Sequence, residues 1–278
     1  MSPVERWEFR FRMLETTQFQ DADKYSKYLR TSSGRLRCDL AWENLRGFLP
    51  DPAAQRRVLD LGGGTGAMSV RLARKKFQVV LIDSSEEMLG IARKEGEANG
   101  VAMQISCRHA DAGQLHQLFE PESFDIVVCH NLLEYVADPA AIVRGISYVL
   151  RKDGIFSLLM RNRAGEMLKA AIKSSDLGIA KDNFSAQTVV DSLSGKPVRV
   201  FDPADVVQML AKANLRVVAV CGVRVFSDYR DLVDPDPETY LQLLELEFTL
   251  GSQPQFAAIA RYFQIIARNS GTTAFSGS

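Results

Sequence analysis

A chain of 278 residues, 46% of them hydrophobic, can bury one large α/β core with additions, or two small cores. Its 34 Lys and Arg balance 34 Asp and Glu, which excludes a global field steering the protein to nucleic acid or membrane. No apolar run reaches the roughly 18 residues of a transmembrane helix.

Residues 1–55 read as a polar helical extension that could serve as a lid. Its clearest amphipathic piece is "CDLAWENLRGFL" (Cys38 to Leu49). The opening "MSPVERWEFRFRMLE" carries charges throughout and has no apolar core of a signal peptide. After the break at "PDPAAQ", strands and helices alternate from residue 56 to 268. "RVLDL", "QVVLID", "VAMQISCRH", "FDIVVCH" and "GIFSLLM" read as strands. "GAMSVRLARK", "EEMLGIARKEGEANG" and "DPAAIVRGISYVL" read as helices. Such apolar strands separated by helices imply a parallel sheet covered on both faces. Residues 162–200 interrupt the rhythm as a polar, basic insertion after the fifth strand. The chain then resumes with "DPADVVQMLAKANL" as helix, "RVVAVCGVRVF" as strand, "DPDPETYLQLLELEF" as helix and "FQIIARN" as the last strand. Residues 269–278 read as a flexible tail. Cys38, Cys107, Cys129 and Cys221 show no C-x-x-C spacing and suit a reduced, cytoplasmic protein. His109, His116 and His130 lack metal-ligand spacing, so no metal is expected.

The chemistry concentrates after the first strand. "VLDLGGGTG" (Val58 to Gly66) is strand, tight glycine turn and helix start, an arrangement that places a ligand at a helix N-terminus. It satisfies two patterns. Gly62-x-Gly64-x-x-Ala67 fits a dinucleotide loop, and Asp60-x-Gly62-x-Gly64-x-Gly66 fits the loop of S-adenosylmethionine (SAM) methyltransferases. Two features favour SAM. About 55 residues precede the loop, and the closing strand–helix–strand suits a seven-stranded methyltransferase sheet whose last strand inserts antiparallel. Asp60 would also oppose a pyrophosphate but suits a cationic amino group. Asp83, ending "VVLID", can grip a ribose diol with both oxygens, while Ser84 with Glu87 offers the local capping box. Asp111 either meets an adenine amino group or caps the next short helix. His130 either lies beside the methionine part of SAM or is satisfied at its strand end.

"FDIVVCHNLLEYVADP" closely resembles the fourth-strand motif of class I SAM methyltransferases. The chain as a whole resembles the bacterial transfer-RNA 5-carboxymethoxyuridine methyltransferases and their relatives. The likeness runs through "SSGRLRCDLAWENL", "HNLLEYVADP", "GVRVFSDYRD", "YLQLLELE" and "ARYFQIIAR". It implies a Rossmann-like seven-stranded α/β sheet and SAM as cofactor. It implies that Arg37 pairs with the methionine carboxylate and that Gly62, Gly63, Asp83, Ala110 and His130 also bind cofactor. The implied reaction is methyl esterification of a carboxylate on a tRNA wobble uridine. That acceptor is already ionised at neutral pH and needs no general base. Arg224 and Tyr229 are the candidates for positioning it. One departure stands out: residues 161–199 hold only seven Lys or Arg against four Asp or Glu, a modest patch for RNA. A methyltransferase of a small carboxylic acid or other metabolite, and a non-catalytic SAM- or NAD-binding protein, are the competing readings.

Overall fold

The computed structural model describes residues 21–51, 56–174, 177–230 and 234–271. Helices α1 (Ala22–Arg30) and α2 (Ser32–Arg46) come first, capped by the side chains of Asp21 and Thr31. The helical expectation for residues 1–20 falls outside the described residues. Next come β1 (Arg57–Leu61), α3 (Ala67–Arg74), β2 (Gln78–Asp83), α4 (Glu86–Ala98), β3 (Ile105–His109), α5 (Leu115–Leu118), β4 (Phe124–His130), α6 (Pro139–Val149) and β5 (Leu150–Arg161). Two helices, α7 (Arg163–Lys173) and α8 (Leu177–Ser185), lead to an antiparallel hairpin of β6 (Thr188–Val190) and β7 (Pro197–Arg199). The chain closes with α9 (Pro203–Lys212), β8 (Leu215–Val223), α10 (Pro237–Gly251), α11 (Pro254–Ala257) and β9 (Tyr262–Asn269).

Seven strands form one sheet in the order β3-β2-β1-β4-β5-β9-β8. The first five run parallel, and β9 is antiparallel to both β5 and β8. Central strands are apolar on both faces because helices cover both. Leu59, Leu61, Val127, Phe156, Phe263 and Ile265 face one core, shared with Val143 and Ile146 of α6 and Leu210 of α9. Val58, Ile126 and Ile266 face the other, with Leu36 and Leu40 of α2, Leu72 of α3 and Leu243 of α10. The period of two along "YFQIIARN" thus divides one strand between two cores.

The structure moves several boundaries. β8 ends at Val223 instead of running to Phe226, because Arg224 takes a left-handed φ of +64°. Asn269 belongs to β9 and not to a tail: its side-chain amide donates to the Ser147 and Leu150 carbonyls. Residues 272–278 of the expected tail lie outside the described residues. The α4 cap is Ser85, which accepts from Met88 N–H, and not Ser84. The four cysteines are free, and only Cys129 is fully buried. Among the described residues no helix is long and apolar enough to cross a membrane, and no His, Cys, Asp or Glu group could hold a metal ion.

Candidate active site

The strand ends open into a cleft of about 600 Å³, inside the ~300–1,000 Å³ range of small-molecule sites. One half is built by the glycine turn after β1. Gly64 sits at φ +54° and donates its N–H to Asp83 Oδ2 at 2.9 Å. Asp83 Oδ1 accepts from Ser85 N–H at 2.9 Å, so this carboxylate ties the turn to the α4 start. Burial pushes the Asp83 carboxyl up from its ordinary value. Gly63 is required by close approach: a Cβ there would fall 2.8 Å from Asp60 Cγ and 2.7 Å from Leu81 Cγ. Ala110 N–H donates to the Asp83 carbonyl, which aligns the loop after β3 beside the turn. Asp111 accepts from Gly113 N–H at 2.6 Å and so caps the short turn that follows, while it lines the cleft.

Asp60 and Gly63 do not line this cleft. They border a recess of about 50 Å³ behind the turn, shared with Arg37 and His130. Asp60 accepts from Ser69 Oγ at 2.6 Å, and burial raises its carboxyl to about 6. His130 Nε2 meets Ser157 Oγ at 2.8 Å. Gln264 Nε2 also donates to that hydroxyl and to the Ala41 carbonyl, which fixes Ser157 beside the imidazole. Burial, helped by Arg37, pushes the imidazole down to about 3, so it is neutral and acts as a hydrogen-bonding group, not a cation.

The other half of the cleft is cationic and phenolic. Arg37 reaches in from α2. It is buried, donates from Nη2 to the Tyr25 hydroxyl at 2.9 Å and stacks within 6 Å of the rings of Tyr25, Tyr28 and Tyr262. Among the described residues it has no carboxylate partner. Arg224 Nη1 donates to the Tyr28 hydroxyl at 3.0 Å, and its Nη2 pairs with Asp228. Arg161 pairs with Glu166 and Asp191 at 2.7 Å each, and Arg261 pairs with Glu166 at 3.0 Å. Each of these three keeps its Nε–H without a partner among the described residues, and Arg261 keeps Nη1 as well. Tyr262 lies among them. Burial raises its pKa, but Arg161, Arg37, Arg261 and Arg224 outweigh burial and bring it down to about 8.

The structure therefore brings Arg37, Gly62, Gly64, Asp83, Ala110, Asp111, His130 and Arg224 to one cleft. Tyr229 is not on its wall: the 3₁₀ turn Ser227–Tyr229 presents Asp228 there instead. Burial, with Asp228 beside it, pushes the Tyr229 hydroxyl up to about 12. Sequence reasoning missed Tyr25, Tyr28, Arg161, Arg261 and Tyr262. Arg261-Tyr262 lay within "ARYFQIIAR", just ahead of the expected strand. Glu134, from "HNLLEYVADP", was also missed. It is buried on the cleft wall, where Oε1 accepts from Asn131 Nδ2 and Arg161 N–H at 2.9 Å each.

A family model described as a methyltransferase domain matches residues 53–214. A tRNA 5-carboxymethoxyuridine methyltransferase of Escherichia coli (strain K12) is 30% identical over 262 residues, which is 92% of this chain and 97% of that protein. A ubiquinone biosynthesis O-methyltransferase of Hahella chejuensis is 38% identical over 119 residues, 41% of this chain and 49% of that one. Among solved structures, an S-adenosylmethionine dependent methyltransferase from Mesorhizobium loti matches with a TM-score of 0.56 at 20% identity, covering 82% of this chain and 97% of that chain. At that identity the likeness speaks for the fold alone. With the strand order, the glycine turn and the family match pointing the same way, the chain belongs to the methyltransferase-domain family and is a SAM-dependent methyltransferase.

Proposed function

We propose that this enzyme methyl-esterifies a carboxylate, and that the acceptor is 5-carboxymethoxyuridine in tRNA. The observation that carries the chemistry is the cleft wall, where Arg224, Arg261 and Arg161 gather around Tyr262. The tRNA acceptor rests on the E. coli relative that matches nearly the whole chain.

The residues present fit the cofactor. A buried arginine without a carboxylate calls for an anion. Arg37 is such a cation, and the methionine carboxylate of SAM would supply the anion. When bound, SAM offers a methyl group on a positively charged sulfur. Asp83 would hold the ribose with the lone pairs its two backbone donors leave free, and Asp111 and Ala110 would flank the base. Neutral His130 adds no charge that would repel the sulfonium.

The acceptor half supplies positioning. Guanidiniums hold a carboxylate by a planar fork, which fixes the direction of its lone pairs. A carboxylate is ionised far below neutral pH, so no side chain must remove a proton. That agrees with a cleft whose only imidazole is held neutral. Lining-up of the reacting atoms, not base catalysis, is what the wall contributes.

The test uses methyl-labelled SAM with tRNA bearing 5-carboxymethoxyuridine and, in parallel, a small-molecule extract. Label should enter the tRNA and leave as methanol in mild alkali. Alkali-stable label overturns the ester reading. Label confined to the extract overturns the tRNA acceptor and leaves a small carboxylic acid in its place.

A further inference from the structure

From the arrangement around α10 we infer that Glu247 is a positioning residue for the acceptor site, acting through the backbone that launches Arg224. This rests on the reading of Arg224 as an acceptor-holding group. The buried stripe of α10 runs Tyr240, Leu243, Glu247 and Gly251. Helical spacing asks for an apolar side chain at the third of these places, yet a fully buried glutamate stands there. It has no ion-pair partner among the described residues. Its carboxylate instead gathers three consecutive amides: Val225 N–H to Oε2 at 2.6 Å, and Phe226 and Ser227 N–H to Oε1 at 2.9 and 2.7 Å.

Three successive N–H groups converging on one anion form a backbone nest. Here the anion belongs to the protein itself. The nest begins directly after Arg224, whose left-handed φ has no support from its own residue type. On the other side, the Arg224 carbonyl accepts from Arg261 N–H at 2.8 Å. The turn is thus held from both ends, and the guanidinium is delivered to Tyr28 and Asp228. The helix bearing Glu247 cannot drift. A Cβ at Gly251 would lie 2.6 Å from the Gly222 carbonyl, so α10 is seated directly on β8. The segments "GVRVFSDY" and "LLELE" meet in this one contact.

Glu247→Gln keeps the shape but replaces one acceptor oxygen by a donor. Amides of 225–227 should then exchange hydrogen faster, while those of 62–66 keep their protection. With tRNA bearing 5-carboxymethoxyuridine, KM for the acceptor should rise about 10-fold, the scale of losing charged hydrogen bonds. S-adenosylhomocysteine affinity should stay within about twofold, which a general loss of stability would not spare. Glu247→Asp should restore part of the KM, and it carries the same test if Glu247→Gln does not fold. Combined with Arg224→Lys, the KM effects should be less than additive. Unchanged exchange at 225–227, an unchanged acceptor KM, or strict additivity overturns the inference. Arg224→Lys with a wild-type acceptor KM overturns the acceptor reading itself, and this inference with it.

Discussion

The two halves of the cleft are made differently. At the ends of β1, β2 and β3 the walls are backbone amides and carboxylates, each locked by a neighbour within about 20 residues: Gly64 to Asp83, Asp83 to Ser85, Asp111 to Gly113. At the ends of β5, β8 and β9 the walls are guanidiniums and phenols that add distant partners to near ones such as Asp228 and Glu166. Arg224 meets Tyr28 across 196 positions, and Arg161 meets Asp191 across 30. The first half presents a fixed turn to an invariant ligand. The second holds several cations close together, at a cost in repulsion and desolvation that a well-packed apolar wall would avoid. Such a cost is tolerated where an anion is to be gripped.

The contrast can be broken from either side. The largest effect is expected at Arg224→Met: acceptor kcat/KM should fall about 100-fold, near the ~3 kcal/mol upper end for hydrogen bonds to charged groups. S-adenosylhomocysteine affinity, by calorimetry, should hold; an equal loss there would erase the division into halves. Asp83→Ala should do the converse, lowering SAM affinity by about 2 to 3 kcal/mol through lost charge-assisted bonds. The fold should survive because Ser85 still caps α4. Wild-type affinity in a folded variant would deny Asp83 its role.

Arg37→Met sharpens the comparison, since Arg37 lies where the halves touch. SAM affinity should drop by about 2 kcal/mol. The ligand-free Tm should not fall, because a buried charge lacking a carboxylate is removed. A lower Tm with unchanged affinity would make Arg37 a structural residue. The smallest effect concerns pH. Tyr262 titrates near 8, below the ordinary tyrosine value of 10, because four arginines favour its phenolate. Below about 8 the phenol is neutral and puts no negative charge among the guanidiniums. Above it the phenolate competes with the acceptor carboxylate. Acceptor kcat/KM should therefore fall about 10-fold from pH 7 to pH 9, one pKa unit's worth of energy at ~1.4 kcal/mol. Tyr262→Phe should abolish that alkaline limb, and a limb that persists would place the titrating group elsewhere.

The unequal construction also explains what could be read in advance. The half at the ends of β1, β2 and β3 is local: strand, glycines and strand-end acids sit in short motifs legible in the sequence. Asp60 shows the limit of that reading, since only the packed structure reveals that it turns to Ser69 behind the loop. The half at the ends of β5, β8 and β9 depends on how distant elements meet. Tyr25 and Tyr28 carry no motif of their own, and only the packing of α1 brings them to Arg37. Tyr229 is the candidate because a hydroxyl can position a carboxylate, but the turn after Arg224 puts Asp228 on the wall in its place. A left-handed arginine carries no signal in its residue type, and the turn it starts reverses which neighbour faces inward. Tyr262 escaped because β9 begins one residue earlier than the apolar run indicates, and Arg261 lies just before it.

The placement of β9 between β5 and β8 has a consequence for how the enzyme comes into being. As the polypeptide leaves the ribosome, β1 to β5 can pair with one another as soon as residue 161 has emerged, and with them the glycine turn takes shape. β8 is made next but has no neighbour to join: its place in the sheet is reached only through a strand ending at Asn269. During that interval β5 presents an open edge of unpaired amides, the kind of surface that other nascent chains and chaperones seize. Docking of β9 closes the edge, brings in Arg261 and Tyr262, and anchors β8 in the same event. A polypeptide ending before residue 262 would therefore carry the glycine turn, Arg161 and Arg224, but neither Tyr262 between them nor the strand that seats β8 in the sheet.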